Sequence, residues 1–405
     1  MNQSAYFSPA FIEQIMRNHA PEKDIRVKQV QLLEVDNSAS ILVALTSGRT
    51  EKPIGHFGLA VTFEAEGNLQ TRNMVMKLKP NGTEIVEMLN FLASACGGEL
   101  PEVYEQFKTL TGFRNTHMRE LEIYGKMPSE LTLDIFGLHA DPETDTYIIL
   151  MEYLQEVELL NSVMMPEKWT DSHIRQALKQ LAAWHAAHLE KAPVVDLTFW
   201  SDSPSAEYMQ TLSPLWEKLL ENASAKFPEL YTAYYTGVLK EAIAQIPDYW
   251  KELAAMPKTL VHNDLNPRNT CFKEKNGQLH FCVYDWELAT FHVPQYDVVE
   301  FLSFVLDEDR YHLRPEYLEF YRRELHALTG QFADSNSFQR GFALASLDFG
   351  LHRLGMYMMA HAVSPYPFLP RVVKSYFNTL EQFNPLLPAA FDTAHIAPLR
   401  TVAHS

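Results

Sequence analysis

Apolar and polar positions alternate along the first part of the chain with the period of two that is typical of β-strands. The runs ILVALT (41–46), GLAVTFEA (58–65) and MVMKLK (74–79) are rich in β-forming residues, and turn-forming segments separate them. The run TYIILMEYL (146–154) has the same strand character. These segments predict an antiparallel sheet.

The spacing of apolar residues becomes helical between about residues 84 and 131, with breaks expected at the glycine pair 97–98 and near Gly112. It is helical again in the second part of the chain, where RQALKQLAAWHAAHLEK (175–191) places His185 on an apolar helix face. Further helices are predicted at 206–225, 229–246, 315–329, 337–362 and 370–383.

The two patterns together predict an α+β fold with two lobes and a cleft between them. We expect a sheet-rich lobe at residues 1–154, a helical lobe at 155–390 and a tail at 391–405. The strand that ends near residue 154 is expected to join the lobes, and the cleft is the place to look for a ligand.

Charge and composition narrow the class of partner. The chain has 405 residues, of which 46% are hydrophobic, so it can bury a large core. Its 34 Lys and Arg against 51 Asp and Glu give a formal net charge of −17, which disfavours nucleic acid or an anionic membrane as partner.

The first residues lack a signal-peptide pattern and no stretch has the length of a membrane span, so we expect a cytoplasmic protein. The three cysteines have no C-x-x-C spacing, so neither a disulfide framework nor a zinc site is expected.

One polar segment interrupts the helical part. LVHNDLNPRNT (260–270) places His262, Asp264, Arg268 and Asn269 directly after an apolar strand. Such side chains are costly to bury without partners. The segment is therefore either a surface turn or the holder of a charged ligand.

A β-hairpin is predicted directly after this segment. The Asn-Gly pair at 276–277 stands between TCFKEK and QLHFCV, which is the strongest short signal for a two-residue hairpin turn. With that turn, Thr270 lies opposite Val283, so Asn269 and Asp285 come close together at the open end of the hairpin.

Asp264, Asn269 and Asp285 then form a cluster of oxygen ligands. Carboxylate and amide oxygens suit Mg²⁺ that is bound together with the phosphates of a substrate. From these residues alone, a hydrogen-bonded turn is the alternative.

The spacing H-N-D-L-N-P-R-N, followed by Asp285-Trp286 and by Asp297 in PQYDVVEFL, resembles the aminoglycoside phosphotransferase and choline kinase superfamily. The resemblance extends from about Leu33 to Leu306. It implies a protein-kinase-like fold and an ATP- and Mg²⁺-dependent transfer of phosphate to a hydroxyl group of a small molecule, with GTP possible in place of ATP. In this resemblance Asp264 is the catalytic residue, and Asn269 and Asp285 bind the metal.

The resemblance also implies a nucleotide site in the first lobe. Lys77 in VMKLKP would bind the α and β phosphates, and Lys79 is the alternative. Glu120 in MRELEIYGKM would hold that lysine, and Glu122 is the alternative.

The resemblance also implies contacts with the adenine and with the phosphates. Backbone groups near Glu152 and Leu154 would meet the adenine. The glycine-rich phosphate loop is absent, and Ser38 and Ser40 in EVDNSASILVAL are expected to donate hydrogen bonds to phosphate instead.

Four further residues are expected to support the loop rather than to react. His262 and Asp297 would brace it, and Arg268 would do the same or face the phosphates. His185 would be a buried packing residue.

The acceptor is expected to bind after residue 301. This region contains acidic residues next to aromatic and histidine side chains, which would suit an amine-bearing alcohol. For each of these residues taken singly, a solvated turn beside an ordinary core is the favoured interpretation. The residues are Asp307, Glu308, Asp309, Tyr311, His312, His352 and Tyr357.

Two other functions stay open at this point. The glycine-poor loop permits a catalytically silent kinase-like binding module. A protein kinase is the third hypothesis, which the lack of a segment ending in A-P-E disfavours.

Overall fold

The computed structural model describes residues 5–35, 53–192, 194–383 and 386. The predicted strand at 41–46, the phosphate-loop candidates Ser38 and Ser40, and the tail at 391–405 lie outside the described residues.

The first lobe contains a five-stranded antiparallel sheet, which confirms the sheet predicted from the sequence. Its strands have the spatial order β1-β2-β3-β5-β4. They are β1 (Ile25–Leu33), β2 (Gly55–Ala65), β3 (Asn68–Lys79), β4 (Ile135–Asp141) and β5 (Thr146–Glu152).

The second half of β3, residues 74–79, is buried on both faces of the sheet. Successive side chains there point to opposite faces, because side chains alternate along a strand. Met74 and Met76 belong to a core cluster on one face of the sheet. Lys77 and Lys79 point to the other face, toward the second lobe, and both are buried. The alternation therefore delivers two lysine side chains to the interior between the lobes.

Among the described residues, four α-helices accompany the sheet. They are α1 (Pro9–His19), α2 (Gly82–Cys96), α3 (Leu100–Phe107) and α4 (Thr116–Lys126). The predicted break between α2 and α3 is confirmed, because Gly97 and Gly98 adopt φ angles of +76° and +67°. The sequence patterns above do not predict α1, β1 or β4.

The second lobe is mainly helical, as predicted. Its helices are α5 (Asp171–His188), α6 (Ala206–Thr211), α7 (Ser213–Lys226), α8 (Ala233–Ala244), α9 (Ile246–Ala254), α10 (Gln295–Val305), α11 (Arg314–Thr329), α12 (Ser335–Phe349), α13 (Gly355–Val363) and α14 (Leu369–Phe383). One π-helical turn, Gly350–Leu354, joins α12 to α13.

The predicted hairpin is present in this lobe, formed by β7 (Thr270–Lys275) and β8 (Gln278–Val283). Thr270 pairs with Val283, so the predicted register is confirmed. Asn276 and Gly277 have φ angles of +55° and +73°, as a type I′ turn requires. Two short strands, β6 (Thr259–Val261) and β9 (Thr290–His292), pair beside the hairpin.

All three cysteines, Cys96, Cys271 and Cys282, are buried and free. Among the described residues, no helix combines the length and the apolar character needed to cross a bilayer.

Candidate active site

Asp297 fixes the backbone of the polar segment that follows β6. One carboxylate oxygen of Asp297 accepts from the backbone N–H of His262 at 2.8 Å, and the other accepts from that of Asn263 at 3.0 Å. Asp297 is fully buried in the first turn of α10. The backbone N–H of Leu265 donates to the buried carboxyl group of Glu300 at 2.9 Å. Two acidic side chains of one helix thus fix the backbone of the loop.

Two histidines complete this support. His262 Nε2 lies 3.0 Å from the carbonyl oxygen of Tyr284, so the loop is tied to the end of the hairpin. His185 lies 3.1 Å from Asp297 through Nε2 and is fully buried on α5. Its predicted burial is confirmed.

Asp264 projects from this loop into the cleft between the lobes and is surrounded by donors. Asn269 Nδ2 donates to Oδ2 at 2.8 Å, and Arg353 Nη2 donates to Oδ1 at 2.8 Å. The hydroxyl of Tyr357 also donates to Oδ1. Arg268 stacks over the rings of Tyr357 and Phe368, with its guanidinium carbon 5.6 and 5.3 Å from the ring centroids.

On the opposite side of the cleft, Lys77 joins the two lobes. Its Nζ donates to both carboxylate oxygens of Glu120 on α4, at 2.9 and 2.8 Å. The same Nζ donates to Oδ1 of Asp285 at 2.7 Å. Glu122 instead bonds Lys126 at the surface, so the geometry favours Glu120 over its sequence alternative.

Lys79 lies behind Lys77 and is more deeply buried. Its Nζ contacts Glu120 and donates to Glu287 Oε2 at 2.7 Å. The side chain of Lys79 has no exposed surface, whereas Lys77 lines the cavity. Of the two lysines that the sequence offered, Lys77 is therefore the one that a ligand can contact.

Three carboxylates cluster around these lysines. Oxygen atoms of Glu120, Asp285 and Glu287 all lie within 4.8 Å of one another, as the ligands of one cation would. Asn269 lines the same cavity. Its amide nitrogen already donates to Asp264, so its amide oxygen is the atom suited to a metal.

The charges in this cluster shift one another's protonation. Burial opposes the charge of Asp285, but Lys77 and Lys79 outweigh it and hold its pKa well below the usual range. Burial and the charge of Asp285 raise the pKa of Glu287. Burial and Lys77 lower the pKa of His56, on β2, to about 4, so this imidazole is neutral at pH 7.

The described residues of the site line one cavity of about 340 Å³. Its polar lining includes Lys77, Glu120, Asp264, Asn269, Asp285, Glu287, Arg268 and Arg353. The remaining walls are largely apolar, and most of those side chains come from α2 and α13. The structure thus brings the predicted catalytic residue, metal ligands and phosphate lysine together.

The other predicted residues lie elsewhere. Glu152 and Leu154 do not line the cavity as formed by the described residues, whereas the neighbouring Met151 does. The side chain of Glu152 bonds Lys273 and the backbone N–H of Asp134. Contact of this backbone with adenine stays a prediction.

Of the residues proposed for the acceptor, Tyr357 lines the cavity and the other six do not. Asp307 pairs with Arg310, its neighbour three residues on. His352 packs beside the ring of Trp216, and burial lowers its pKa to about 4. The acidic group is thus not part of the cavity wall.

Sequence reasoning missed Arg353, Glu300 and Glu287. Arg353 lies in LHRLGMYMMA, a segment that is otherwise rich in apolar residues. A lone arginine in such a helix needs a buried anionic partner, which is a signal that could have identified it.

The two lobes, the braced loop and the lysine–glutamate pair define a protein of the kinase-like fold. A sequence profile described as the phosphotransferase enzyme family matches residues 115–330, just over half of the chain. The chain belongs to this family. No curated protein sequence matches it significantly.

Solved structures with a similar fold share little sequence with the chain. An ethanolamine kinase of Plasmodium vivax is 11% identical over 86% of this chain and 82% of that one, with a TM-score of 0.47. An aminoglycoside 2′-phosphotransferase, solved as its GDP complex, is 13% identical over 93% and 97%, with a TM-score of 0.45. A microcompartment-associated aminopropanol kinase is 10% identical over 88% and 91%, with a TM-score of 0.42.

Proposed function

We propose that this phosphotransferase moves the γ-phosphoryl group of ATP, in the presence of Mg²⁺, to a hydroxyl group of a small molecule. One observation supports the proposal: Lys77 from the first lobe lines one cavity together with Asp264 and Asp285 from the second, and its Nζ lies 2.7 Å from Oδ1 of Asp285. A nucleotide held by Lys77 would therefore face a hydroxyl group held by Asp264.

The donor set fits Mg²⁺. Asp285 and Asn269 offer a carboxylate and an amide oxygen, and Glu287 offers a further carboxylate close to Asp285. Magnesium prefers such oxygen ligands and is bound by few protein carboxylates together with substrate phosphates. When bound there, the ion would neutralise charge that develops on the transferred phosphoryl group.

The charge balance of the cluster supports the same assignment. Two lysines, Lys77 and Lys79, face the three carboxylates of Glu120, Asp285 and Glu287. With all five groups ionised, negative charge is in excess. A polyphosphate would be repelled unless a cation accompanied it.

Asp264 would orient the acceptor hydroxyl and receive its proton. The acceptor oxygen would form a bond to the γ-phosphorus while the bond from that phosphorus to the oxygen bridging to the β-phosphate breaks, so ADP leaves. Arg353 and Asn269 fix both carboxylate oxygens, which favours positioning over strong basicity. Positioning is the main task of the protein in phosphoryl transfer.

Lys77 would hold the α and β phosphates, with Glu120 fixing its ammonium group. In this arrangement residues 1–154 act as the nucleotide-binding lobe, and residues 155–390 supply the catalytic loop and acceptor site.

The test is release of ADP from MgATP in the presence of candidate acceptors. The screen should contain aminoglycosides, choline-like alcohols, sugars and apolar alcohols, with the wild type and Asp264→Asn compared. We expect acceptor-dependent ADP release that Asp264→Asn abolishes, while the variant keeps its stabilisation by MgATP in a thermal melt.

GTP in place of ATP, and EDTA in place of Mg²⁺, complete the design. If the wild type shows no Mg²⁺-dependent stabilisation by either nucleotide, the proposed nucleotide site is wrong. If Asp264→Asn retains full turnover, the assignment of Asp264 is wrong.

A further inference from the structure

We infer that the acceptor is an uncharged alcohol with an apolar body, and that this body lies between α2 and α13 while the hydroxyl faces Asp264. The inference rests on the proposed phosphotransfer and adds the chemical class of its substrate.

Two helix faces form the walls of this part of the cavity. Helix α2 contributes Ile85, Met88, Leu89 and Leu92, which recur at the i, i+3, i+4 and i+7 spacing of one helix face. All four are aliphatic or thioether side chains, so this wall offers no hydrogen bond.

The facing wall has side chains at the same helical spacing, but it contains both polar and apolar residues. The π turn and α13 contribute Arg353, Met356, Tyr357 and Ala360. Arg353 and Tyr357 donate to Asp264, whereas Met356 and Ala360 continue the wall with apolar surface. The slot between the helices, defined by these eight residues, is therefore polar at the Asp264 end and apolar beyond it.

The apolar end of the slot is closed. Cys96, the last residue of α2, lies with its Sγ 3.5 Å from the carbonyl oxygen of Met359 in α13. At the polar end, Phe113 lies under the guanidinium of Arg353 at 5.9 Å and also lines the cavity. Away from Asp264, a molecule in the slot would thus meet mainly the apolar side chains of α2 and α13.

The slot is separate from the expected adenine position. In the pairing of β3 with β5, Met74 lies opposite Glu152 at the start of the hinge, while Lys79 lies opposite Tyr147. Helix α2 begins just after Lys79. The five steps from Met74 to Lys79 span roughly 17 Å of extended strand, so the hinge and α2 lie at opposite ends of this part of β3 with Lys77 between them.

The charges around the cavity disfavour an ammonium group on the acceptor. Each lining carboxylate already has a cationic partner: Asp264 has Arg353, Asp285 has Lys77, and Glu287 has Lys79. Glu120 contacts both lysines. Every described lining carboxylate is thus in contact with a cation, and the excess negative charge belongs to the proposed Mg²⁺ cluster of Glu120, Asp285 and Glu287, where the metal would neutralise it.

An anionic acceptor is disfavoured for the corresponding reason. Arg353 is bonded to Asp264, and Arg268 is bonded through Nε to Asn266 and stacked between two rings. The guanidinium of Arg353 lies at the polar end of the slot, where it bonds Asp264. A charged group at the apolar end would lose its hydration without gaining a partner, which is costly.

Matched alcohols test this directly. 1-Octanol, 8-amino-1-octanol and 8-hydroxyoctanoate present the same primary hydroxyl and differ only at the far end of the chain. With MgATP and ADP release as readout, we expect kcat/KM for 1-octanol to exceed that for either charged analogue by roughly 100-fold, because the far end lies in the closed part of the slot. Kanamycin and choline serve as cationic comparisons.

Substitutions on α2 locate the binding. Leu92→Gln places an amide in the slot and is expected to raise KM for 1-octanol by roughly tenfold. Phe91→Gln is the matched control, since Phe91 is the adjacent residue and is 53% exposed outside the slot. It should leave KM unchanged.

A second variant covers the case in which Leu92→Gln does not fold. Ala360→Leu keeps the wall apolar but shortens the slot, so KM should rise for 1-octanol and stay unchanged for 1-butanol. Equal effects on the two alcohols would contradict the assigned position of the apolar body.

Failure of this inference differs from failure of the proposed function. If the wild type is stabilised by MgATP and phosphorylates kanamycin or 8-amino-1-octanol better than 1-octanol, the slot assignment is wrong and phosphotransfer stands. If MgATP does not bind, but calorimetry detects 1-octanol binding that Leu92→Gln weakens and Phe91→Gln does not, the slot stands and phosphotransfer fails. Absence of 1-octanol binding and turnover overturns the inference.

Discussion

Arg353 Nη2 lies 2.8 Å from Oδ1 of Asp264, although 89 residues separate the two in sequence. Both side chains are largely buried, with exposed fractions of 5% and 14%. An ionic hydrogen bond in such a position orients the carboxylate more firmly than a neutral donor would. The geometry of the proposed catalytic residue thus depends on a distant helix.

Replacing this arginine should impair turnover. Arg353→Ala removes the cationic donor to Oδ1 of Asp264. The neutral donors Tyr357, Asn266 and Asn269 are then left to hold the carboxylate. Misplacement of a positioning group by about 1 Å costs roughly 100-fold in rate, so we expect kcat to fall by about that factor. Steady-state kinetics with the best acceptor of the screen measures the effect.

Arg323→Ala is the control for this variant, because Arg323 is 74% exposed and pairs only across the surface with Glu319. It should leave kcat unchanged. A fully active Arg353→Ala enzyme would show that the contact with Asp264 does not matter for turnover.

Substitutions of Lys77 and Lys79 should have different effects, the first on nucleotide binding and the second on the stability of the fold. Lys77→Met should abolish the increase in melting temperature with MgATP, since Lys77 lines the cavity. Lys79→Met should retain that increase but lower the free energy of unfolding by about 3 kcal/mol, because Glu120 and Glu287 lose a buried partner. Thermal melts with MgATP and urea unfolding measure the two effects. The reverse pattern would identify Lys79 as the phosphate lysine.

Removal of the Asp285 charge should remove the metal dependence. In Asp285→Asn we expect ATP to give the same melting temperature with Mg²⁺ as with EDTA, whereas the wild type is stabilised further by the metal. Asp307→Asn is the matched control, since Asp307 pairs with Arg310 away from the cavity. A metal response that survives in Asp285→Asn would assign the ion to other residues.

Stability should depend on pH through Glu300. This carboxyl group is buried beneath the loop, and burial and the charge of Asp264 raise its pKa to about 8, although Arg353 opposes the shift. Asp297 on the same helix raises it further, and the hydroxyl of Tyr357 lies 3.5 Å away.

The sign follows from proton linkage. The folded protein holds this proton more tightly than the unfolded chain, in which the pKa is near 4.5. The stabilisation is therefore complete below pH 4.5 and is lost as pH rises through about 8. In Glu300→Gln this loss should disappear, because the amide still accepts from Leu265 but does not titrate.

Urea unfolding at pH 5 and pH 9 measures this difference. Relative to Glu300→Gln, the wild type should lose more than the ~1.4 kcal/mol that one pKa unit represents. Glu274→Gln, at an exposed glutamate of the hairpin, is the control. Parallel pH profiles for the wild type and Glu300→Gln would contradict the elevated pKa.

The sequence predicted those parts of the site that local spacing determines. The Asn-Gly turn fixed the hairpin register, and that register brought Asn269 and Asp285 to one end. The period of two along β3 placed Lys77 and Lys79 on one face. Each of these relationships needs only a few neighbouring residues.

The acceptor side was not predictable in this way. Its walls combine α2 of the first lobe with α13 of the second. Local sequence patterns do not predict that two helices distant in sequence face each other. The acidic group at 307–309 was given weight because charge is conspicuous in a sequence, but its first residue serves to bond Arg310. Apolar stripes such as that of α2 look like ordinary core until tertiary packing leaves a gap beside them.

The support of the loop by Asp297 has a consequence for protein engineering. Asp297 holds the backbone at His262 and Asn263 through hydrogen bonds and does not line the cavity. Asp297 on α10 thus positions the loop, whereas side chains of a different helix, α2, shape the slot. Substitutions along α2 can therefore be combined in libraries that redirect acceptor choice while the reactive carboxylate keeps its place.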